Sequence, residues 1–252
     1  MTEQEILASY AYRYEGSWSR IAEAVATHEE AGSYDIRERY ITILDDQYPE
    51  QLRQLRFPPW VLFYQGNIHL LNEPMITIVG SRELSDYGAE LTVKTCEELK
   101  KRFVLVSGLA RGADSYVHKT ALENGNSIGV IGSGLGTRYP YENSALYGVM
   151  MRRDLIITEY PYHTGVKKEH FPWRNRILAA LGEALIVTEA KYRSGTMLTV
   201  NEALALSKEI YTFPYPFESE YGSGCNRLIA DGANIIYTGA QLKEIRPKLH
   251  IG

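Results

Sequence analysis

The chain has 252 residues, of which 44% are hydrophobic and 23% are charged, a balance that suits one large α/β domain plus a small appendage. The formal net charge of −4 argues against a general polycation that coats DNA, so any nucleic-acid binding needs a local concentration of Lys and Arg. No apolar run approaches the roughly 20 residues of a membrane span and no signal peptide opens the chain, so we expect a cytoplasmic protein.

The first 38 residues predict a small helical module. Its apolar positions recur at helical spacing, and Gly32-Ser33 ends the stretch: Ile6, Leu7, Tyr10, Tyr14, Ile21 and Val25. A module this short cannot bury enough surface to stand alone, so it must pack on the rest of the chain. We therefore divide the sequence into a helical module, residues 1–38, and a second domain, residues 39–252.

Short β-rich apolar runs then alternate with helical patterns. A short strand is predicted at 61–64, and the regular series follows at 76–79, 103–106, 128–131, 155–158, 185–188, 210–213 and 235–237. Helices are predicted at 88–101, 114–124, 143–151 and 197–208. Near-continuous apolar strands that alternate with helices indicate a parallel sheet covered on both faces. The fold class is therefore α/β, a Rossmann-like, doubly wound and mainly parallel sheet with a small N-terminal helical module.

Gly, Ser, Thr and Arg recur in the loops that follow four of these strands. The loops are Gly80-Ser81-Arg82, 107–114 (SGLARGAD), 132–136 (GSGLG) and 189–196 (EAKYRSGT). Ligands of such sheets bind beyond the carboxyl ends of the strands, where glycines allow close approach and helix N-termini attract anions. Together the loops predict a phosphate-binding floor, although each glycine could simply make a tight turn. Neither a Walker A sequence nor the dinucleotide spacing is present.

The segment 171–177 (FPWRNRI) combines aromatic rings, two guanidinium groups and a helix start. Trp173 falls at helical spacing with later apolar residues, which indicates a core anchor. Arg174 and Arg176 are two residues apart, so they point to roughly opposite sides of the helix and cannot share one ligand. The sequence leaves open which of them is structural. Phe171 precedes the helix and is the candidate stacking platform, with a buried position as its alternative.

In their order along the chain, these motifs resemble the DNA-processing protein A family, also called DprA or Smf. The resemblance runs from about residue 41 to residue 237 and includes 80–82, 107–114, 139–143 (YPYEN), 159–161 (EYP), 171–177, 189–196 and 226–233. It implies a homodimeric single-stranded DNA-binding protein of natural transformation. Family members protect incoming strands and load the RecA recombinase in DNA recombination, without catalytic turnover, metal or cofactor.

The resemblance also implies the nucleic-acid-binding residues. The strand pocket would use Arg82, Lys168 and Phe171. The surrounding contacts would come from Gly80, Ser81, Ser107, Gly108, Arg111, Arg174, Asn175, Ser194, Gly195 and Thr196. Many members carry a C-terminal winged-helix-like domain, which we expect this chain to lack because it ends at Gly252.

Two other functions use the same sheet. One is a nucleotide-binding hydrolase resembling the lysine-decarboxylase-like phosphoribohydrolases, whose motif is Pro-Gly-Gly-x-Gly-Thr-x-x-Glu. Aligned on Gly195-Thr196, this chain has Thr199 where that Glu should stand, which weighs against the hydrolase. The other is a regulatory domain that senses a small nucleotide. Cys96 and Cys225 have no metal-ligand spacing and are interpreted as ordinary thiols.

Overall fold

The computed structural model describes residues 1–248, which form one nine-stranded mixed sheet. Residues 249–252, the end of the predicted second domain, lie outside the described residues. The strands are β1 Arg39–Thr42, β2 Val61–Gly66, β3 Met75–Val79, β4 Val104–Ser107, β5 Ser127–Val130, β6 Leu155–Thr158, β7 Ala184–Val187, β8 Glu209–Thr212 and β9 Asn234–Ile235. Eight of them correspond to the predicted runs. The short edge strand β1 was not predicted.

Helices cover the sheet on both faces. They are α1 Glu3–Arg13, α2 Trp18–Ala26, α3 Glu50–Arg53, α4 Asp86–Leu99, α5 Ala113–Asn124, α6 Ser144–Arg153, α7 His170–Leu181, α8 Gly195–Ala205, α9 Ser223–Ala230 and α10 Gly239–Glu244. Short 3-10 turns occur at Ile68–Asn72 and Tyr141–Asn143. In residues 1–248 no helix combines the length and the apolar character needed to cross a membrane.

The strand order is β1-β2-β6-β5-β4-β3-β7-β8-β9. Every neighbouring pair in the series β6-β5-β4-β3-β7-β8-β9 is parallel, whereas β2 pairs antiparallel with both β1 and β6. The chain starts the parallel part at β3, builds outward through β4 to β6, and then returns to place β7 on the other side. The predicted doubly wound, mainly parallel sheet is confirmed, and its switch point lies between β3 and β7.

Two buried clusters hold the layers together. The larger one surrounds the central strands; all five residues of β3 are buried, and four of them belong to this cluster. The smaller one joins Leu7 of α1 and Ile21 of α2 to Phe63 of β2 and Tyr147 of α6. The N-terminal helices therefore pack on the sheet, as their small size requires. We propose a boundary near residue 38 because residues 29–37 form neither helix nor strand.

Candidate nucleic-acid interface

A cleft of about 630 Å³ opens at the switch point, beyond the carboxyl ends of β3 and β7. It brings together ten of the thirteen predicted contact residues: Gly80, Ser81, Arg82, Lys168, Phe171, Arg174, Asn175, Ser194, Gly195 and Thr196. Gly108 and Arg111 line an adjoining cavity of about 160 Å³, which shares Arg82 and Phe171 with the cleft. The fold thus gathers loops that are far apart in the sequence.

Ser107 belongs to neither cavity, which corrects its predicted place in the pocket wall. It is fully buried at the end of β4. Its hydroxyl lies 2.7 Å from the carbonyl oxygen of Ile78 and 3.0 Å from Oδ1 of Asp114. Asp114 also accepts from the backbone N–H of Ala110 at 3.2 Å, and burial raises the pKa of this carboxyl. Ser107 therefore supports the loop at 107–114 from the buried end of β4.

The turn after β3 packs closely against Gly112, in the loop after β4. Gly112 has a φ of +69°, a region that only glycine adopts without strain, and a Cβ there would lie 2.7 Å from the carbonyl group of Arg82. The next residue, Ala113, donates its N–H to the carbonyl oxygen of Ser81 at 3.0 Å. This close approach of two backbones presents the Arg82 side chain to solvent at the rim of the cleft.

Arg82 lies beside the half-buried ring of Phe171, and Lys168 lines the same cleft. The Arg82 guanidinium carbon lies 5.5 Å from the ring centroid, and the ring of Tyr139 lies 5.9 Å away on the same wall. Both cations are exposed, and among residues 1–248 neither has a carboxylate within 4 Å. Their charge is therefore open to an anion beside a flat aromatic surface. Tyr139 was absent from the predicted site, although it lies in the motif at 139–143.

The N-terminus of α8 forms the opposite wall. Ser194 occupies the position before the helix, and its buried hydroxyl has no hydrogen-bond partner among the described residues. The hydroxyl of Thr196 donates to the carbonyl oxygen of Gly80 at 3.0 Å, which ties the helix to the turn after β3. Unpaired N–H groups and the positive end of the helix dipole make such an end a site for phosphate oxygens.

Arg174 and Arg176 have different roles. Arg174 is 5% exposed and lines the cleft, where Nη1 donates to the carbonyl oxygens of Gly108, at 2.9 Å, and Val130. Burial lowers the pKa of its guanidinium, against the opposing charge of Asp114. Its Nε has no partner within residues 1–248.

Arg176 points away from the cleft. It forms a bidentate ion pair with Glu159 at 2.7 and 2.6 Å, and its Nε donates to the carbonyl oxygen of Phe57 at 2.9 Å. Arg176 is therefore the structural arginine. Trp173 is half-buried between Phe57 and Arg176, which corrects its predicted place as a core anchor.

The carboxylates that line the cleft are Glu83 and Asp114, and Thr199 is buried at its wall. Within residues 1–248, no three His, Cys, Asp or Glu side chains form a group that could hold a metal ion. Cys96 and Cys225 are free and buried, and burial raises the pKa of the Cys225 thiol to about 11. The chemistry that the cleft offers is hydrogen bonding, positive charge and ring stacking.

These features define a Rossmann-like protein with a cleft that combines exposed cations, an aromatic ring and a helix N-terminus. Residues 39–246 match the family model described as DNA recombination-mediator protein A. The chain belongs to this family, which confirms the resemblance drawn from its motifs.

Similar proteins come from several bacteria. The chain is 40% identical over 199 residues to DNA processing protein DprA of Streptococcus pneumoniae, covering 79% of this chain and 71% of that protein. It is 36% identical over 214 residues to DprA of Bacillus subtilis, covering 84% and 72%.

Two solved structures share the fold. The X-ray structure of S. pneumoniae DprA has a TM-score of 0.82 and 32% identity, covering 99% of this chain and 94% of that one. DNA processing protein A of Helicobacter pylori has a TM-score of 0.74 and 27% identity, covering 82% and 95%, and its structure concerns a single-stranded DNA binding mode of that protein.

Proposed function

We propose that this protein binds single-stranded DNA in the 630 Å³ cleft. The observation that carries the proposal is the pair of exposed cations, Arg82 and Lys168, which lack carboxylate partners in the described chain and line the same cleft as the ring of Phe171. The cations suit phosphates, the ring suits a base, and the α8 N-terminus suits a further phosphate. The single-stranded DNA binding mode of the H. pylori relative supports the same ligand class here.

Access to the ring favours a single strand over a duplex. Phe171 sits in a cleft, so only a base that has left its stack can reach the ring face. Every base has such a face, and the cleft therefore binds with little sequence preference. Because the net charge is −4, the attraction of DNA depends on local groups of cations. A groove concentrates such cations, whereas an open surface does not.

The class of ligand is tested by fluorescence anisotropy with an oligo-dT and a duplex of the same length, each at two salt concentrations. We expect the oligo-dT to bind more tightly than the duplex, with an affinity that falls as salt rises. Equal affinity for the two DNAs, or no binding to either, would overturn the proposal.

The role of Phe171 is tested by Phe171→Ala. Loss of one stacked base costs about 1–3 kcal/mol, so the dissociation constant for oligo-dT should rise about 5- to 150-fold. Phe217 is 91% exposed and lies outside the cleft, so Phe217→Ala is the matched control and should bind like the unchanged protein. Equal affinity of the two variants would remove Phe171 from the DNA path.

We further propose that the protein acts as a cytoplasmic homodimer, protects incoming single strands and loads the RecA recombinase on them during natural transformation. The recombination-mediator family supports this role. RecA filament growth on the bound strand should accelerate when the protein is added, and sedimentation should give twice the mass of one chain. No acceleration would overturn the loading role, and a monomer would overturn the dimer.

We propose a binding role without turnover, because the wall of α8 carries no counterpart of the hydrolase acid. Thr199 stands at that position. The carboxyl of Asp114 already accepts hydrogen bonds from the Ser107 hydroxyl and the Ala110 N–H. Nucleoside monophosphates should therefore remain intact when incubated with the protein. Release of free base and ribose phosphate would show the hydrolase instead.

A further inference from the structure

Arg138, which precedes α6, and Arg152 of α6 both lie over Gly148 without an acidic partner in residues 1–248. A Cβ built on Gly148 would lie 3.9 Å from Nη1 of Arg138 and 3.8 Å from Nη1 of Arg152, so these two nitrogens are no more than about 8 Å apart. Both side chains are exposed, and in residues 1–248 neither has a carboxylate within 4 Å. The nearby Glu142 is already paired with Arg111. Two adjacent like charges repel each other unless an anion lies between them.

Gly148 leaves the surface between these arginines open. A Cβ at this position would contact nothing closer than the two guanidinium groups, so packing within the chain does not require glycine. Glycine inside a helix costs about 1 kcal/mol relative to alanine. Its presence exposes the helix backbone to a close approach by a ligand.

An exposed aromatic ring lies in the short 3-10 turn that leads into α6. The side chain of Tyr141 is 84% exposed. Its loop is nevertheless firmly held, because Ser144 donates its hydroxyl to the carbonyl oxygen of Tyr141 at 2.6 Å and Tyr147 donates to that of Tyr139 at 2.8 Å. The side-chain amide of Asn143 also donates to the carbonyl oxygen of Leu109 at 3.0 Å. Tyr141 is therefore a ring presented to solvent on an ordered support.

The same loop leads back to the cleft. Tyr139 lines the cleft and lies 5.9 Å from the ring of Phe171, and Tyr141 follows two residues later, at most roughly 7 Å along the chain. Arg138 donates to the carbonyl oxygen of Ser144, the first residue of α6, at 3.4 Å. Residues 138–141 therefore connect the cleft at Phe171 with the start of α6.

We propose that Tyr141, Arg138 and Arg152 form a second subsite for single-stranded DNA, which binds the strand as it leaves the cleft past Tyr139. Tyr141 stacks on a base, and the two arginines bind phosphate above Gly148. This inference rests on the proposed function, since it extends the strand path beyond the cleft. The subsite lies outside the cleft, so it adds affinity only for a strand long enough to reach it.

The test compares a short oligo-dT of about 4 nucleotides with a long one of about 20. Unchanged protein should bind the long oligonucleotide more tightly. Arg138→Gln with Arg152→Gln should remove this advantage, leave the short oligonucleotide unaffected, and lower the salt slope for the long one by about 0.7 for each phosphate that the two arginines neutralise. The control with the same charge change is Lys94→Gln with Lys101→Gln, two exposed lysines of α4 and the turn after it.

Two substitutions of Gly148 distinguish the effect of charge from the effect of side-chain size, and one substitution tests the ring of Tyr141. Gly148→Glu places a carboxylate between the two arginines and should weaken long-oligonucleotide binding, whereas Gly148→Gln should weaken it much less. Tyr141→Ala should weaken it about 5- to 150-fold. Circular dichroism confirms that each variant is folded.

The outcomes distinguish the subsite from the cleft. If unchanged protein binds neither oligonucleotide, the proposed function fails and the subsite fails with it. If it binds both, and the arginine variant matches the lysine control on the long one, only the subsite is overturned. Equal weakening for short and long oligonucleotides also overturns it, because the arginines then act on the cleft itself.

Discussion

Replacement of Arg176 by methionine should destabilise the protein strongly while leaving the cleft intact. The side chains of Arg176 and Glu159 are only 5% and 4% exposed, and the guanidinium makes two hydrogen bonds to that carboxylate. It also donates to the carbonyl oxygens of Phe57 and Trp173, at 2.9 and 2.7 Å. Arg176→Met leaves a buried carboxylate whose one remaining donor within residues 1–248 is the Trp173 indole at 3.2 Å.

Removal of one partner of a buried pair costs about 3–5 kcal/mol, because the other charge stays desolvated and unpaired. The measurement is urea unfolding at neutral pH, where the midpoint should fall while the slope of the transition stays constant. The double variant Arg176→Met with Glu159→Gln should recover part of the loss, since it removes the unpaired charge. Oligo-dT affinity of the folded Arg176→Met protein should be unchanged.

The control for this prediction is Arg227→Gln. Arg227 pairs with Asp231 at 2.9 Å on the surface, with both side chains more than half exposed, so its loss should cost less than about 1 kcal/mol. If Arg176→Met costs no more than this control, the pair with Glu159 does not stabilise the fold as argued. If Arg176→Met stays stable and loses DNA binding, Arg176 belongs to the interface and the assignment of the two arginines is wrong.

Three further predictions concern other parts of the molecule. Gly112→Ala should lower the unfolding free energy by about 1–3 kcal/mol, seen as a lower Tm, because alanine is strained at a φ of +69°; an unchanged Tm would contradict this. Burial lowers the pKa of His118 from 6.5 to about 3. At a pH between these two values, His118 is protonated in the unfolded chain and neutral in the folded chain. The free energy of unfolding should therefore fall by about 2 kcal/mol between about pH 7 and pH 5. In His118→Leu this contribution to the decrease should be absent. Arg82→Gln and Lys168→Gln should each lower the salt slope for oligo-dT by about 0.7, and an unchanged slope would place that residue outside the DNA path.

Local pattern was sufficient for most of the elements but not for all of them. The buried central strands are continuous apolar runs, so β3 to β8 could be predicted within one or two residues. β1 has only four residues, and the first two are not buried, so it lacks the continuous apolar run that marks the other strands. The strand order was not readable either, because pairing is decided by distant segments that meet only in the folded chain.

The candidate site divides in the same way. The spacing of Arg174 and Arg176 predicted that they point apart, which the structure confirms, but the partner of each comes from another strand or loop. Glu159 follows β6 and holds Arg176, whereas the carbonyl oxygens of Gly108 and Val130 hold Arg174 at the cleft.

The sequence by itself determined the class of fold, the family and the loops that carry the cleft, because apolar periodicity and ordered motifs are local properties. Only the tertiary structure decided that Ser107 is buried, that Tyr139 stands beside Phe171, and that Gly148 lies between Arg138 and Arg152. Exposure, ring contacts and the absence of an acidic partner within residues 1–248 depend on which segments pack together. No local pattern in a single sequence contains that information.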